Sequence, residues 1–134
     1  MIVGVPKEVK NNENRVGLTP NSVKLLSELG HSIFVQSQAG DAIGFSDDLY
    51  LSSGATILQD VEEVFASSDL IIKVKEPVDG ELQYLREGLG LFTYLHLAGN
   101  LHQAKKLLET GVTGIAYETV TAIDGSLPLL APML

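Results

Sequence analysis

The stretch Leu70-Ile71-Ile72-Lys73-Val74 decides the fold class, because its side chains are mostly apolar and do not alternate with polar ones. Such a pattern is typical of a strand covered on both faces, as in parallel sheets. Four further segments share it and are rich in Val, Ile and aromatic residues: Ile2–Val5, Ser32–Gln36, Leu91–Leu95 and Gly114–Tyr117. The sequence therefore predicts about five strands.

Helix-period segments lie between these strands. The first is predicted to begin at Thr19-Pro20, a hydroxyl cap followed by a proline, and to end at Gly30. Its apolar stripe would consist of Val23, Leu25, Leu26 and Leu29. Further helices are predicted near Asp47–Ser53, from a capping box at Asp60, over Gly80–Glu87, and between Asn100 and Gly111.

Strands that alternate with helices indicate parallel strands joined by right-handed crossovers. We therefore expect an α/β fold: an open, mostly parallel sheet with helices on both faces, in the Rossmann or flavodoxin-like class. A length of 134 residues suits one domain and leaves no room for both a cofactor fold and a full substrate fold.

Composition excludes several classes of function. The 17 acidic residues outnumber the 9 basic ones, which argues against nucleic-acid binding. The chain has no cysteine and no H-E-x-x-H motif, so we expect no thiol nucleophile and no metal site. No apolar run approaches the ~18 residues of a membrane span. Since a secretory signal is also missing, we expect a cytoplasmic protein.

The sequence carries no recognisable dinucleotide motif. Its G-x-G segment is Gly88-Leu89-Gly90, and Thr93 stands where the third glycine of the fingerprint would be. The sequence closes on an apolar run, Pro128-Leu129-Leu130-Ala131-Pro132-Met133-Leu134. We expect from that run that the chain is a fragment.

Polar loops follow four of the predicted strands, and they contribute Arg15, Lys75, His96 and Glu118. Ligands of open parallel sheets bind beyond the carboxyl ends of the strands, where these loops meet. Arg15 could bind a small carboxylate with two parallel hydrogen bonds, and Lys75 could polarise a carbonyl or pair with a carboxylate. His96 titrates near neutral pH and suits a general acid and base.

Each of these residues also has a structural interpretation. Arg15 could be a solvated loop arginine, Lys75 a lysine that snorkels from the sheet, and His96 a core histidine bonded to a backbone carbonyl. Glu118 could orient a neighbour or form an ion pair. The residue pattern alone indicates a small-anion site of unassigned purpose.

Several motifs nevertheless resemble those of bacterial alanine dehydrogenases, and together they cover essentially the whole chain. They are Gly4-Val5-Pro6-Lys7-Glu8-Val9-Lys10-Asn11-Asn12-Glu13-Asn14-Arg15-Val16, Leu70-Ile71-Ile72-Lys73-Val74-Lys75-Glu76-Pro77, Leu95-His96-Leu97-Ala98, Ala116-Tyr117-Glu118-Thr119-Val120 and Leu127-Pro128-Leu129-Leu130-Ala131-Pro132-Met133. The resemblance implies that residues 1–134 form the N-terminal substrate or catalytic domain, and that the NAD-binding domain is absent from this chain.

The resemblance also implies an activity: the reversible, NAD-dependent oxidative deamination of L-alanine to pyruvate and ammonium. Arg15 and Lys75 would bind the substrate carboxylate and carbonyl, and His96 would transfer the proton. Met133 would lie where the chain approaches the nicotinamide. Full-length relatives suggest a homohexamer, and turnover by the isolated chain is not expected.

Two other interpretations stay open. The first is the N-terminal domain of the NAD-binding alpha subunit of proton-translocating transhydrogenase, a related family that reduces no keto acid. That family has no histidine at the position of His96, so Arg15, Lys75 and His96 together favour alanine dehydrogenase. The second is a non-catalytic oligomerisation or ligand-binding domain, which the low charged fraction of 19% and the apolar end also fit.

Overall fold

Six parallel strands form one open sheet in the order β3-β2-β1-β4-β5-β6. The computed structural model describes residues 1–95 and 101–119. The strands are β1 Ile2–Val5, β2 Ser32–Gln36, β3 Thr56–Leu58, β4 Leu70–Lys75, β5 Gly90–Tyr94 and β6 Thr113–Ala116. The predicted fold class, an open parallel α/β sheet, is thus confirmed.

Four α-helices connect these strands: α1 Pro20–Glu28, α2 Asp47–Ser52, α3 Val61–Ser67 and α4 Leu101–Glu109. Short 3-10 helices span Asp41–Ile43, Asp79–Tyr84 and Tyr117–Thr119. The predicted ends of α1 are confirmed, since Thr19 Oγ1 accepts the N–H of Ser22 at 3.2 Å and Gly30 has a positive φ of 93°.

Some local predictions were wrong. The sheet has six strands instead of about five, because Thr56–Leu58 pairs with β2 as a three-residue edge strand. Such a strand is too short to show a periodic pattern. Asp60 caps α3 without a side-chain cap bond, so the predicted capping box is not formed. In α1, Val23 is buried, but Leu25 and Leu29 are 63% and 74% exposed instead of facing the sheet.

The apolar core lies on both faces of the sheet. Ile71 and Ile72 are consecutive in β4 but belong to different buried clusters, because successive side chains of a strand point to opposite faces. The cluster of Ile72 packs against Val23 of α1 and Tyr50 of α2. The cluster of Ile71 includes residues of α3 and α4: Val64, Phe65 and Leu107. Helices therefore cover both faces, as predicted.

Strand β1 lies in the middle of the sheet, paired with β2 on one side and β4 on the other. Ser68 and Ile71 approach Gly4 closely, since a Cβ atom on Gly4 would overlap Ser68 Oγ and lie 2.9 Å from Ile71 Cδ1. Because β1 ends at Val5 while β4 continues to Lys75, the last residues of β4 have no strand beside them on the β1 side. Side chains of the following loop occupy that position.

Candidate functional site

The carboxyl edge of the sheet is organised by Glu8, in the loop after β1. Its Oε2 atom accepts the backbone N–H of Val74 at 3.2 Å, and its Oε1 atom accepts that of Lys75 at 3.0 Å. The Glu8 side chain thus takes the place that another residue of β1 would have had beside β4. It fixes the backbone of Lys75, which the sequence predicted as a site residue.

A buried lysine lies beneath this edge. Lys73, in β4, has only 1% of its side chain exposed, and its Nζ atom lies 3.3 Å from a carboxylate oxygen of both Glu8 and Glu81. Glu81 belongs to the 3-10 helix after β4 and also accepts the backbone N–H of Val78 at 3.0 Å. Enclosed in this way, Lys73 is a structural cation that joins the loop, the strand and the 3-10 helix.

Two opposing effects act on the carboxyl of Glu8. Burial raises the pKa of Glu8 above its ordinary value, and this outweighs the lowering by the charge of Lys73 and by the backbone N–H groups of Lys75 and Val74. The charge of Glu8 reaches Tyr117, whose pKa is raised first by burial and then by this carboxylate.

Arg15 is held by a fork of hydrogen bonds to Glu13. Its Nε and Nη2 atoms donate to the two carboxylate oxygens at 2.9 Å and 2.7 Å, and its backbone N–H donates at 3.0 Å. The Arg15 side chain is 45% exposed, whereas that of Glu13 is only 5% exposed. These hydrogen bonds are the first cause that holds the pKa of Glu13 below its ordinary value.

Lys75 belongs to the same group of charges. Its Nζ atom lies 5.3 Å from the centre of the Tyr94 ring, a cation–π contact. Its positive charge also contributes to the lowered pKa of Glu13. The backbone of Lys75 is fixed on both sides, because Glu8 accepts its N–H and Thr93 Oγ1 donates to its carbonyl at 2.8 Å. The structure thus brings Arg15 and Lys75 to the same edge of the sheet.

An open cleft of about 390 Å³ adjoins Arg15 at this edge. Its walls come from the loop after β1 and from the segment after β2: Lys7, Glu8, Glu13, Asn14, Arg15, Gln38, Ala39, Asp41 and Ala42. The exposed guanidinium therefore faces a space that a small molecule can enter.

The remaining predicted site residues are Glu118, His96 and Met133, and the structure describes only the first of them. Glu118 Oε1 accepts the backbone N–H of Leu95 at 3.2 Å, so it connects the ends of β5 and β6. His96 and Met133 both lie outside the described residues. Gln103, expected in a cap with Asn100, donates its side-chain amide to the Pro77 carbonyl at 2.9 Å.

The sequence pattern did not identify four residues of this edge: Glu8, Glu13, Lys73 and Glu81. One signal was available for Lys73, since a lysine inside an apolar strand requires a buried partner. Nothing in the sequence specified which carboxylates those partners are. Glu13 stands two residues before Arg15, but a sequence does not show that the loop turns it back toward the guanidinium.

The described residues do not fit a dinucleotide. Gly88-Leu89-Gly90 leads into β5, which begins at Gly90, and so lies at the amino edge of the sheet, whereas a phosphate-binding glycine loop follows a strand. Gly90 is instead a packing position, because a Cβ there would lie 2.9 Å from Leu70 Cδ1. Within residues 1–95 and 101–119, no cluster of three or more His, Asp or Glu side chains could hold a metal ion. No helix in this part is long and apolar enough to cross a membrane.

Known proteins share both the sequence and the fold. Residues 4–134 match the family described as alanine dehydrogenase/PNT, N-terminal domain. The chain is 50% identical over 133 residues to an alanine dehydrogenase of Methanococcus maripaludis, an alignment that covers 99% of this chain and 36% of that protein. The chain thus spans about a third of the length of the curated relatives it matches.

Two solved structures superpose closely. One, an L-alanine dehydrogenase, gives a TM-score of 0.95 at 46% identity and covers 99% of this chain and 37% of its own. The other, a transhydrogenase from Sinorhizobium meliloti, gives a TM-score of 0.84 at 29% identity, over 92% of this chain and 36% of its own. The family resemblance seen in the sequence motifs is therefore confirmed.

Proposed function

Because this chain belongs to the alanine dehydrogenase/PNT N-terminal domain family, we propose that it supplies the substrate-binding part of an NAD-dependent alanine dehydrogenase. The reaction converts L-alanine, NAD⁺ and water into pyruvate, ammonium, NADH and a proton, and it is reversible. One observation carries the assignment: Arg15, bound to Glu13, and Lys75, at the end of β4, both lie at the edge where parallel sheets bind ligands.

The two cations suit a 2-keto acid. Arg15 is exposed beside the cleft, and a guanidinium can hold a carboxylate through two parallel hydrogen bonds. The Lys75 ammonium would face the keto oxygen and stabilise negative charge that develops there during addition of ammonia. With the carboxylate anchored, the reacting carbon takes one orientation at the rim.

His96 is the proposed proton-transfer residue. Its imidazole would protonate the substrate oxygen as water leaves and accept a proton from water in the reverse direction. This assignment comes from the Leu95-His96-Leu97-Ala98 motif. It is supported by the hydrogen bond of Glu118 to the Leu95 N–H, which fixes the backbone just before His96.

NAD⁺ would accept the hydride. The described residues do not fit a dinucleotide, so we propose that NAD is bound by the rest of a longer protein, with Met133 as the contact in this chain. We also propose that this protein is a cytoplasmic homohexamer. Its mass in solution, measured by light scattering, tests the hexamer.

The alternative is the related transhydrogenase domain, which the solved transhydrogenase at 29% identity supports. The solved L-alanine dehydrogenase, at 46% identity, favours the first assignment. The two functions differ in one simple respect, because a transhydrogenase domain would have no reason to bind pyruvate.

The test is alanine-dependent formation of NADH by the complete polypeptide in which residues 1–134 occur. Arg15→Lys should raise the KM for pyruvate about tenfold, since a point charge loses the two-pronged geometry. Arg86→Lys is the matched control, because the Arg86 guanidinium donates to the Phe65 and Ser68 carbonyls at 2.9 Å and 2.8 Å, in the structural core. It should change stability but not KM.

The histidine needs its own control. His96→Ala should lower kcat at least about 100-fold. His102→Ala, an exposed histidine on α4, should not. Absence of alanine-dependent NADH formation would contradict the proposed function and support the transhydrogenase alternative. In an active enzyme, an unchanged KM for pyruvate in Arg15→Lys would contradict the role of Arg15.

A further inference from the structure

The Glu13 carboxylate lies beneath the guanidinium that it binds. Three donors of Arg15 point at it, namely Nε, Nη2 and the backbone N–H. The carboxylate is nearly enclosed at 5% exposure, while the cation above it is 45% exposed. An exposed ion pair would leave both partners in water, so this arrangement directs Arg15 outward from a buried anchor.

An arginine side chain presents two edges that can each bind a carboxylate. Glu13 occupies the edge formed by Nε and Nη2. Within the described residues, the side-chain hydrogen bonds of Arg15 all come from Nε and Nη2 and go to Glu13, and Arg15 is one of the residues that line the cleft. The second edge is therefore oriented for a ligand by the bonds that hold the first.

The negative charge of Glu13 also affects the repulsion between two cations. Arg15 and Lys75 carry like charges, and bringing them to one edge costs repulsion. The hydrogen bonds from Arg15 come first among the causes that hold the pKa of Glu13 below its ordinary value, and the charge of Lys75 comes last. An ionised carboxylate at that point reduces the repulsion between the two cations.

We propose that Glu13 is a positioning residue, which orients Arg15 toward the carboxylate of a keto acid and reduces the repulsion between Arg15 and Lys75 at the rim. The inference rests on the proposed function, because it assigns a further residue to that same site. Glu13 touches neither substrate nor cofactor in this role and acts through the two cations.

A competing role has the opposite sign. If Glu13 were only a fixed negative charge that repels or displaces an incoming anion, its removal would strengthen pyruvate binding. If Glu13 positions Arg15, its removal weakens pyruvate binding even though a negative charge has gone. The direction of the change therefore separates the two roles.

The experiment measures pyruvate binding by titration calorimetry in the complete polypeptide that contains residues 1–134. Glu13→Gln keeps the size of the side chain and should weaken pyruvate binding about tenfold. Asp48→Asn is the matched control, since it removes one negative charge from the exposed start of α2, outside the residues that line the cleft. It should change the affinity less than about twofold.

Steady-state kinetics separates positioning from loss of structure. Glu13→Gln should raise the KM for pyruvate with kcat nearly unchanged, because it removes an aid to binding. A merely structural role would lower kcat through a smaller active fraction and leave KM unaltered. Wild-type binding with equal or tighter binding by Glu13→Gln would overturn this inference alone. Absence of pyruvate binding by the wild type would overturn the proposed function, and the inference with it.

Discussion

The Oε1 atom of Glu8 accepts the backbone N–H of Lys75 at 3.0 Å, and this bond joins the loop after β1 to the end of β4. Glu8→Gln leaves one oxygen where two accepted hydrogen bonds. We expect a loss of about 1–3 kcal/mol in the free energy of unfolding, measured by urea denaturation below pH 4.5. A smaller loss than in Asp48→Asn would contradict this role of Glu8.

The pH dependence of that loss has a definite sign. The pKa of Glu8 is raised in the folded protein, above an ordinary value of 4.5. Its contribution to stability is therefore complete below pH 4.5 and is lost as the pH rises through the higher folded pKa. The stability difference between wild type and Glu8→Gln should shrink over that rise. A difference that grows with pH would show that the pKa of Glu8 is lowered.

Substitution of Lys73 should lower the free energy of unfolding far more than substitution of a surface lysine. Lys73→Met would leave Glu8 and Glu81 facing each other without a cation, at a cost of about 3–5 kcal/mol in the free energy of unfolding. Lys106→Met is the matched control, because Lys106 pairs with Asp79 at 3.7 Å on the surface. It should cost less than about 1 kcal/mol. Equal losses of unfolding free energy in the two variants would contradict the structural role of Lys73.

Gly4 should tolerate no side chain. In Gly4→Ala the new Cβ would overlap Ser68 Oγ and crowd Ile71, so we expect a loss of about 1–3 kcal/mol in thermal or urea denaturation. The same change at Gly80, where a Cβ would meet no atom within 4 Å, should stay within about 0.5 kcal/mol. A tolerated Gly4→Ala would place β1 and β4 farther apart than described.

Substitution of Tyr50 tests how α2 packs. It is fully buried, its hydroxyl donates to the Leu18 carbonyl at 2.7 Å, and burial raises its pKa to about 12. Tyr50→Phe should cost about 1 kcal/mol of unfolding free energy. Because the folded pKa is raised, the contribution of the tyrosine should vanish as the pH rises from about 10 toward 12. Ultraviolet titration of the wild type and of Tyr50→Phe checks this late ionisation.

The fold class was predictable because strand patterns and helix caps are local signals. Placing Arg15 and Lys75 at one edge needed only the rule that parallel strands end together. The exception was β3, whose three residues carry no period. An apolar stripe in a helix sequence also does not show how much of the stripe the sheet covers. Leu25 and Leu29 belong to such a stripe and are exposed.

The anchors of the site were not predictable in the same way. Glu13 reaches Arg15 because the loop turns back on itself: its N–H donates to the Lys10 carbonyl at 3.1 Å, and Asn12 has a positive φ of 62°. Asn12 is a residue type that tolerates this conformation, but many asparagines do not adopt it. Glu8 and Lys73 are 65 positions apart, and their contact exists only once β1 and β4 are paired.

The central position of β1 has a consequence for the nascent chain. Val3 pairs with Leu70, so a ribosome must add 67 residues before the strand meets its second neighbour. At ~5–20 residues per second this interval lasts roughly 3–13 s. Throughout that time one edge of β1 presents unpaired N–H and C=O groups beside the valines of a future core. The first strand to be made therefore waits longest for its second neighbour, and this open edge is where a chaperone or another nascent chain would find it.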